Sequence, residues 1–414
     1  MALGVTLNVA GLAYFKYFNF VASTAYSALG WNFSNANITL PLAISFYTFQ
    51  QIAFIIDTYR GEVGRVSIRN YVLSVLFFPH LIAGPLLHYR NIIGQFQTKF
   101  SISSHNLSIG LLLFAIGLSK KVAIADPIAT FVSPIYDLAQ HDGIDLIQSW
   151  AAIVGYTAQL YFDFSGYSDM AIGLGIMFGI ALPINFNSPY KSRSIIEFWR
   201  RWHITLSEFL RDYLYIPLGG SRNGRFRRYS NLLIVMLIGG LWHGAGWTFI
   251  FWGGLHGCYL IINHMWRRYS PIGDRSPLNA VFYPITFIAV CIGWVFFRSP
   301  NFETAINILH SAVSLHNIRL PDELKLYIGA DHPFVIWGGG MSFIDFFAFW
   351  TYALVAYAIV FLAPNSMQVM RYNGDGIPKL DVGVGYIAMT GTLFWLAFFG
   401  IFGSIPSEFL YFQF

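Results

Sequence analysis

The sequence predicts an all-α, polytopic integral membrane protein with about 9–11 membrane-buried helices, some of them broken or re-entrant. Three observations carry that expectation. Of 414 residues, 56% are hydrophobic and 18% aromatic, while only 11% are charged, less than half the ~25% of a soluble domain. The apolar residues gather into runs long enough for a bilayer crossing, about 20 residues each. One such run is interrupted by glycines. The same composition excludes disordered, collagenous and coiled-coil chains, and 25 basic with 20 acidic residues would leave a soluble enzyme of this size poorly solvated.

In chain order the runs fall near residues 4–26, 38–58, 67–89, 107–135, 147–181, 231–264, 279–297, 346–364 and 383–405. The first holds Lys16 as its earliest basic residue and lacks a cleavage site behind a basic start, so it reads as a span and not a cleavable signal. Runs 147–181 and 231–264 exceed one simple span. The second of these contains Gly239, Gly240, Gly244, Gly246, Gly253 and Gly254 and is expected to break at a turn buried in protein. Irregular backbone at membrane depth needs protein or a water-filled cavity to satisfy it, which makes the break a candidate site. Residues 298–345 form the longest polar connection, with an amphipathic piece at 302–313 that reads as interfacial. No internal repeat is present.

Basic residues set the expected orientation. Arg60, Arg65, Arg69, Lys120, Lys121, the 191–228 segment, Arg267 and Arg268 read as cytoplasmic, with Asp137, Asp142 and Asp145 opposite. Residues 191–228 hold nine basic side chains against Glu197, Glu208 and Asp212. In a membrane protein such a cluster is first a topology marker and second a binding site; nucleic acid is not an expected partner. Cys258 and Cys291 lie in apolar runs without CxxC spacing, which points to packing.

Several residues need a chemical explanation. Asp163 and Asp169 stand in an apolar run, where each costs about 2.5–3.5 kcal/mol at the bilayer centre. Either they are structural, held by Ser165, Ser168, nearby tyrosines or an arginine of 197–211, or they contact substrate. Residues 195–218 are expected as one helix that dips from the interface toward the core. On it Glu197 meets Arg200 and Arg201, Glu208 meets Arg211, and Trp199, His203 and Ser207 share a face. His203 is either a satisfied buried histidine or part of a polar site. His243 follows Trp242 in the glycine-flanked turn; an ionisable residue inside the membrane is a functional candidate by default, here as a general base. His256 falls on another face and reads as structural. HExxH, GxSxG and GxxxxGK[ST] are absent, as is any i, i+4 histidine pair, so no metal is expected. Asn263-His264 imitates an NHxxxxD motif, but position 269 is tyrosine.

Taken together, QLYFDFSGYSDMAIGLG (159–175), EFWRRWHITLSEFLRDYLYIPLGGSR (197–222) and GGLWHGAGWTFIFWGGLHG (239–257) resemble the membrane-bound O-acyltransferase family, most of all its bacterial alginate O-acetyltransferase branch. PHLIAGPLLHYR (79–90) and SEFLYFQF (407–414) resemble that branch too. The resemblance implies a single membrane domain over 1–414 around a tunnel, with His243 catalytic, either as general base on the acceptor hydroxyl or as a brief carrier of the acetyl group, and His203 a second polar residue on the path to it. Candidate substrate-binding residues are Asp163, Asp169, Arg200, Arg201 and Trp242. It further implies no bound cofactor, acetyl-CoA as cytoplasmic donor, and an exported, alginate-like polysaccharide as acceptor. An extracytoplasmic partner resembling SGNH hydrolases and a place in the bacterial inner membrane complete the expectation. Members of that branch carry further hydrophobic helices ahead of the segment resembling 3–20, so a shortened start is expected. Two other readings stay open: a transporter or non-catalytic membrane subunit of a polysaccharide export complex, and a D-alanyl or long-chain lipid O-acyltransferase.

Overall fold

A computed structural model describes residues 1–81, 84–97, 103–270, 280–328, 335–380, 383–403 and 409–410. Of the stretches named above, residues 82–83, 279, 329–334, 404–408 and 411–414 lie outside the described residues.

The chain opens with one continuous helix, α1 (2–28), which takes a π turn at Ala13–Tyr17. Helix α2 spans Ile44–Tyr59, beginning later than the run from 38 suggested: Pro41 precedes it, and Ala43 at its start adopts a left-handed backbone with φ 59°. The run 67–89 is not a span. Ser67 caps α3 (Ile68–Leu76) through the Asn70 amide, but Pro79 follows closely. Proline lacks the N–H of an i→i−4 bond and its ring clashes with the carbonyl four residues back; the chain leaves the helix at Phe77, takes a 3-10 turn at Phe78–His80 and resumes in α4 (Tyr89–Gln97).

Helix α5 (Ser104–His141) is 38 residues long, with a π turn at Lys120–Ala125. Lys120 and Lys121 therefore sit inside a helix and do not mark a cytoplasmic loop. Its partner α6 (Leu146–Met177) starts at a capping box formed by Asp145 and Gln148. The two helices touch backbone to backbone: a Cβ on Gly117 would lie 2.4 Å from the Gly166 carbonyl oxygen.

The expected single helix over 195–218 is also corrected. Ser194 caps α7 (Ile195–Trp199); the helix then stops and restarts as α8 (Ile204–Leu210), followed by a π turn at Arg211–Tyr215. Two long-range backbone bonds hold the interruption open, Asn187 N–H to the Arg201 carbonyl (2.9 Å) and Ile204 N–H to the Asn185 carbonyl (3.0 Å). Trp199, His203 and Ser207 thus do not share a helical face.

The glycine-rich run does break. Helix α9 (Gly224–His243) ends at His243, and α10 (Trp247–Tyr269) begins after three intervening residues. The pair cross at glycine contacts, where a Cβ on Gly253 would meet the Met236 carbonyl oxygen at 2.2 Å and one on Gly240 the Phe249 oxygen at 2.3 Å. Helix α11 (Phe282–Arg298) packs on α10, and the 302–313 piece forms α12 (Phe302–Ser311). Two short parallel strands, β1 (Ile318–Leu320) and β2 (Val335–Trp337), pair with Ile318 opposite Val335. Helices α13 (Phe343–Leu362) and α14 (Val384–Gly403) complete the order. Among the described residues α5, α13 and α14 are long and apolar enough to cross a membrane by length and composition. The fold is that of an all-α membrane protein, with an aromatic core in which Trp202, Trp252 and Trp294 are fully buried.

Candidate active site

The site lies where the two interruptions of helical backbone meet. His243 is the last residue of α9, and His203 is the residue that restarts the chain into α8. Their rings stand 6.5 Å apart, centroid to centroid. Both are buried, His203 completely and His243 to 4% exposure. Around His243 the walls are aromatic: Trp242 at 4.9 Å, Trp252 at 5.1 Å and Phe297 at 5.2 Å between ring centroids. Phe164 of α6 packs edge-on against His203 at 4.8 Å.

His203 has φ 42° and ψ 56°. A left-handed backbone at a non-glycine residue is uncommon, though histidine is among the residues enriched there, and such strain persists only where the surroundings impose it. Here Asn185 does so. Its Oδ1 accepts from the Thr205 amide (3.3 Å) and the Thr205 hydroxyl (3.0 Å) and stands 3.1 Å from His203 Nδ1. The amide nitrogen of Thr205 is only a donor, so the Asn185 atom facing it is the oxygen, and His203 Nδ1 must carry the proton. The tautomer of a neutral His203 is thereby fixed.

The carbonyls at the end of α9 are all satisfied, as burial requires. Gly240 O accepts from the Gly244 amide, and the Tyr17 hydroxyl donates to Leu241 O at 2.9 Å. The Lys16 ammonium donates to Trp242 O (2.5 Å) and His243 O (3.2 Å).

Of the sequence-predicted residues, the fold brings His243, His203 and Trp242 together; Trp242 lies 6.3 Å from His203. The others sit elsewhere. Asp169 is bound by Lys120 (2.6 Å), and Asp163 shares Lys121 with Asp126 (2.6 and 2.8 Å). The backbone amide of Leu410 also donates to Asp163. The cations that pair these acids are lysines of α5, not arginines of 197–211. Arg200 is exposed. Arg201 pairs with Glu197 at 2.7 Å, as the i, i+4 spacing predicts, whereas Arg211 directs its guanidinium to Asp212. His256 is buried against Trp199, whose indole N–H donates to it. Cys291 is buried and Cys258 exposed, both as free thiols. Among the described residues no three His, Cys, Asp or Glu side chains converge as metal ligands. Sequence reasoning missed Lys16 and Asn185; the one available signal was that Lys16 is the only charge in the first apolar run.

Residues 59–303 match the family model of the membrane-bound O-acyltransferases. The chain is 43% identical to a peptidoglycan O-acetyltransferase of Helicobacter pylori, over 77% of its own length and 66% of the relative's. It is 43% identical to the probable alginate O-acetylase AlgI of Pseudomonas aeruginosa, covering 78% of this chain and 62% of that protein. A teichoic acid D-alanyltransferase of Bacillus subtilis is 27% identical over 64% of this chain and 71% of the relative. The chain thus spans between 53% and 66% of the length of the O-acetylating relatives it matches. The matched region contains both broken helices and both histidines, and the chain belongs to the membrane-bound O-acyltransferase family.

Proposed function

We propose that the protein is an O-acetyltransferase that moves an acetyl group from acetyl-CoA, taken from the cytoplasmic side, toward a hydroxyl of an exported, alginate-like polysaccharide. The observation that carries this reading is His243: an imidazole at the end of a broken helix, walled by aromatic rings, 6.5 Å from a second histidine. In the reaction the oxygen of an acceptor hydroxyl at the site, from which the acetyl group later passes to the sugar, bonds to the thioester carbonyl carbon as the C–S bond breaks. The hydroxyl proton passes to His243 and from there to the departing thiolate. The products are an acetyl ester and the CoA thiol, and the histidine returns to its starting form. His203, held in one tautomer by Asn185, orients the reacting groups beside it.

Relatives that O-acetylate peptidoglycan or alginate support an acetyl donor and a sugar-polymer acceptor. The arginine density of 191–228 supports a cytoplasmic placement of that segment and a donor entrance beside it, since guanidinium forks suit phosphates. In this reading the chain crosses the inner membrane several times, and an SGNH-hydrolase-like partner outside completes transfer to the sugar. Asp163 and Asp169 then hold α5 to α6 through their lysines.

His243→Ala tests the proposal. O-acetyl content of the exported polysaccharide, at matched membrane levels of protein, is expected to fall about 10²- to 10⁴-fold, the span of general-base loss. Near-normal acetylation would favour the non-catalytic subunit instead.

A further inference from the structure

Lys16 is a charge that its own helix does not explain. It is half-buried within α1, where an ammonium costs about 2.5–3.5 kcal/mol at membrane depth, and among the described residues no carboxylate pairs with it. Its three N–H groups instead find three neutral acceptors: Trp242 O at 2.5 Å, His243 O at 3.2 Å and Ser45 Oγ at 3.2 Å. The ammonium also lies 5.9 Å from the centre of the Trp242 indole.

Two of those acceptors are the last carbonyls of α9. A helix C-terminus carries about half a negative charge, and left bare in an apolar core its carbonyls would each forfeit a hydrogen bond. Lys16 meets both needs. With its neighbour Tyr17 on Leu241 O, it ties down three successive residues ending at His243. The π turn at Ala13–Tyr17 contains both side chains. It widens α1 locally, as π bulges at functional sites do.

We infer that Lys16 is a positioning residue for acyl transfer: it clamps the end of α9 so that His243 is held against the His203 side of the pocket, and it does not touch substrate. The second half follows from its geometry, because all three N–H groups are already committed. The inference rests on the proposal that His243 is the base. Loss of the clamp leaves donor and acceptor surfaces intact but lets the base wander, so turnover falls while donor affinity does not.

Cells of the native host that express the full chain are assayed, as permeabilised preparations that retain the extracytoplasmic components, for acetyl transfer to polysaccharide with acetyl-CoA as the probe donor, comparing wild type, Lys16→Met, Lys16→Gln, Lys16→Arg and His243→Ala at matched protein. Lys16→Met is expected to lower kcat at least tenfold with KM for acetyl-CoA within twofold of wild type. Lys16→Arg, which keeps charge and donors, is expected to recover more than half of the lost turnover. Should Lys16→Met fail to accumulate, Lys16→Gln, which keeps a donor but no charge, takes its place against Lys16→Arg. Wild-type kcat in both uncharged variants overturns the inference, and so does a rise in KM at unchanged kcat, which would put Lys16 in donor binding. An active His243→Ala overturns the parent proposal, whereas an inactive His243→Ala beside fully active Lys16 variants overturns only the clamp.

Discussion

Among the polar islands that interrupt the apolar interior, two are built on opposite principles. Between α5 and α6 the island is ionic: Lys120 with Asp169, and Lys121 shared by Asp126 and Asp163, all at 2.6–2.8 Å. At the α9–α10 break it is two imidazoles among aromatic rings, with the nearby ammonium turned to backbone carbonyls. Buried ions are tolerable when opposite charges meet in good geometry, and removing one partner strands the other. The ionic island therefore makes a rigid joint between two long, unbroken helices. The histidine island sits where helices end and backbone is irregular; His203 is held there through its imidazole by Asn185, and His243 through its backbone carbonyl by Lys16. The lesson is that burial cost alone does not identify a reactive group. What separates the islands is whether the partners neutralise the side chain or merely aim it.

Breaking each island should have different consequences. Lys121→Met leaves two buried carboxylates without their shared cation and is expected to cost about 3–5 kcal/mol, read as lower thermal stability of the detergent-solubilised protein. Adding Asp163→Asn and Asp126→Asn should restore most of it. His243→Ala should show the reverse pattern, with activity lost and the melting temperature close to wild type. Equal loss of stability in both variants would erase the distinction.

The glycine crossing that joins α9 to α10 gives a sharper test of how tightly the histidine island is framed. A methyl at Gly253 would stand 2.2 Å from the Met236 carbonyl oxygen, so one helix must move. Gly253→Ala is expected to cost about 1–3 kcal/mol and to reduce acetyl transfer along with it. A smaller effect belongs to Asn185→Leu. It removes the acceptor that fixes the His203 tautomer together with the two bonds from Thr205; loss of the His203 bond alone corresponds to roughly a tenfold drop in rate, so at least that drop is expected, measured as acetyl transfer at matched protein. His203→Ala is expected to give a partial loss of similar order. The mildest intervention leaves activity unchanged: Asn223→Cys, at an exposed position in the basic segment, should react with a membrane-impermeant thiol reagent only from the cytoplasmic side. Labelling from outside would reverse the proposed orientation.

Composition and hydropathy determined the class of this protein, because a bilayer imposes its demands residue by residue and those demands can be read locally. The break after His243 was legible for the same reason: glycines cluster where the backbone must turn, and a histidine there stands out in a charge-free stretch. What lay beyond local reading were the pairings. Lys120 and Lys121 look like loop markers until α6 brings Asp163 and Asp169 against them. Residues 195–218 have the pattern of one helix until Asn185 and Asn187, from an extended segment, take up Ile204 N–H and the Arg201 carbonyl. Lys16 is an isolated charge until α1 lies beside the end of α9, 226 positions away in the chain. Helical periodicity reports only on neighbours a few residues distant. The energies that placed these side chains come from opposite charges and unsatisfied carbonyls meeting across the bundle, and only the tertiary structure decides which of them meet.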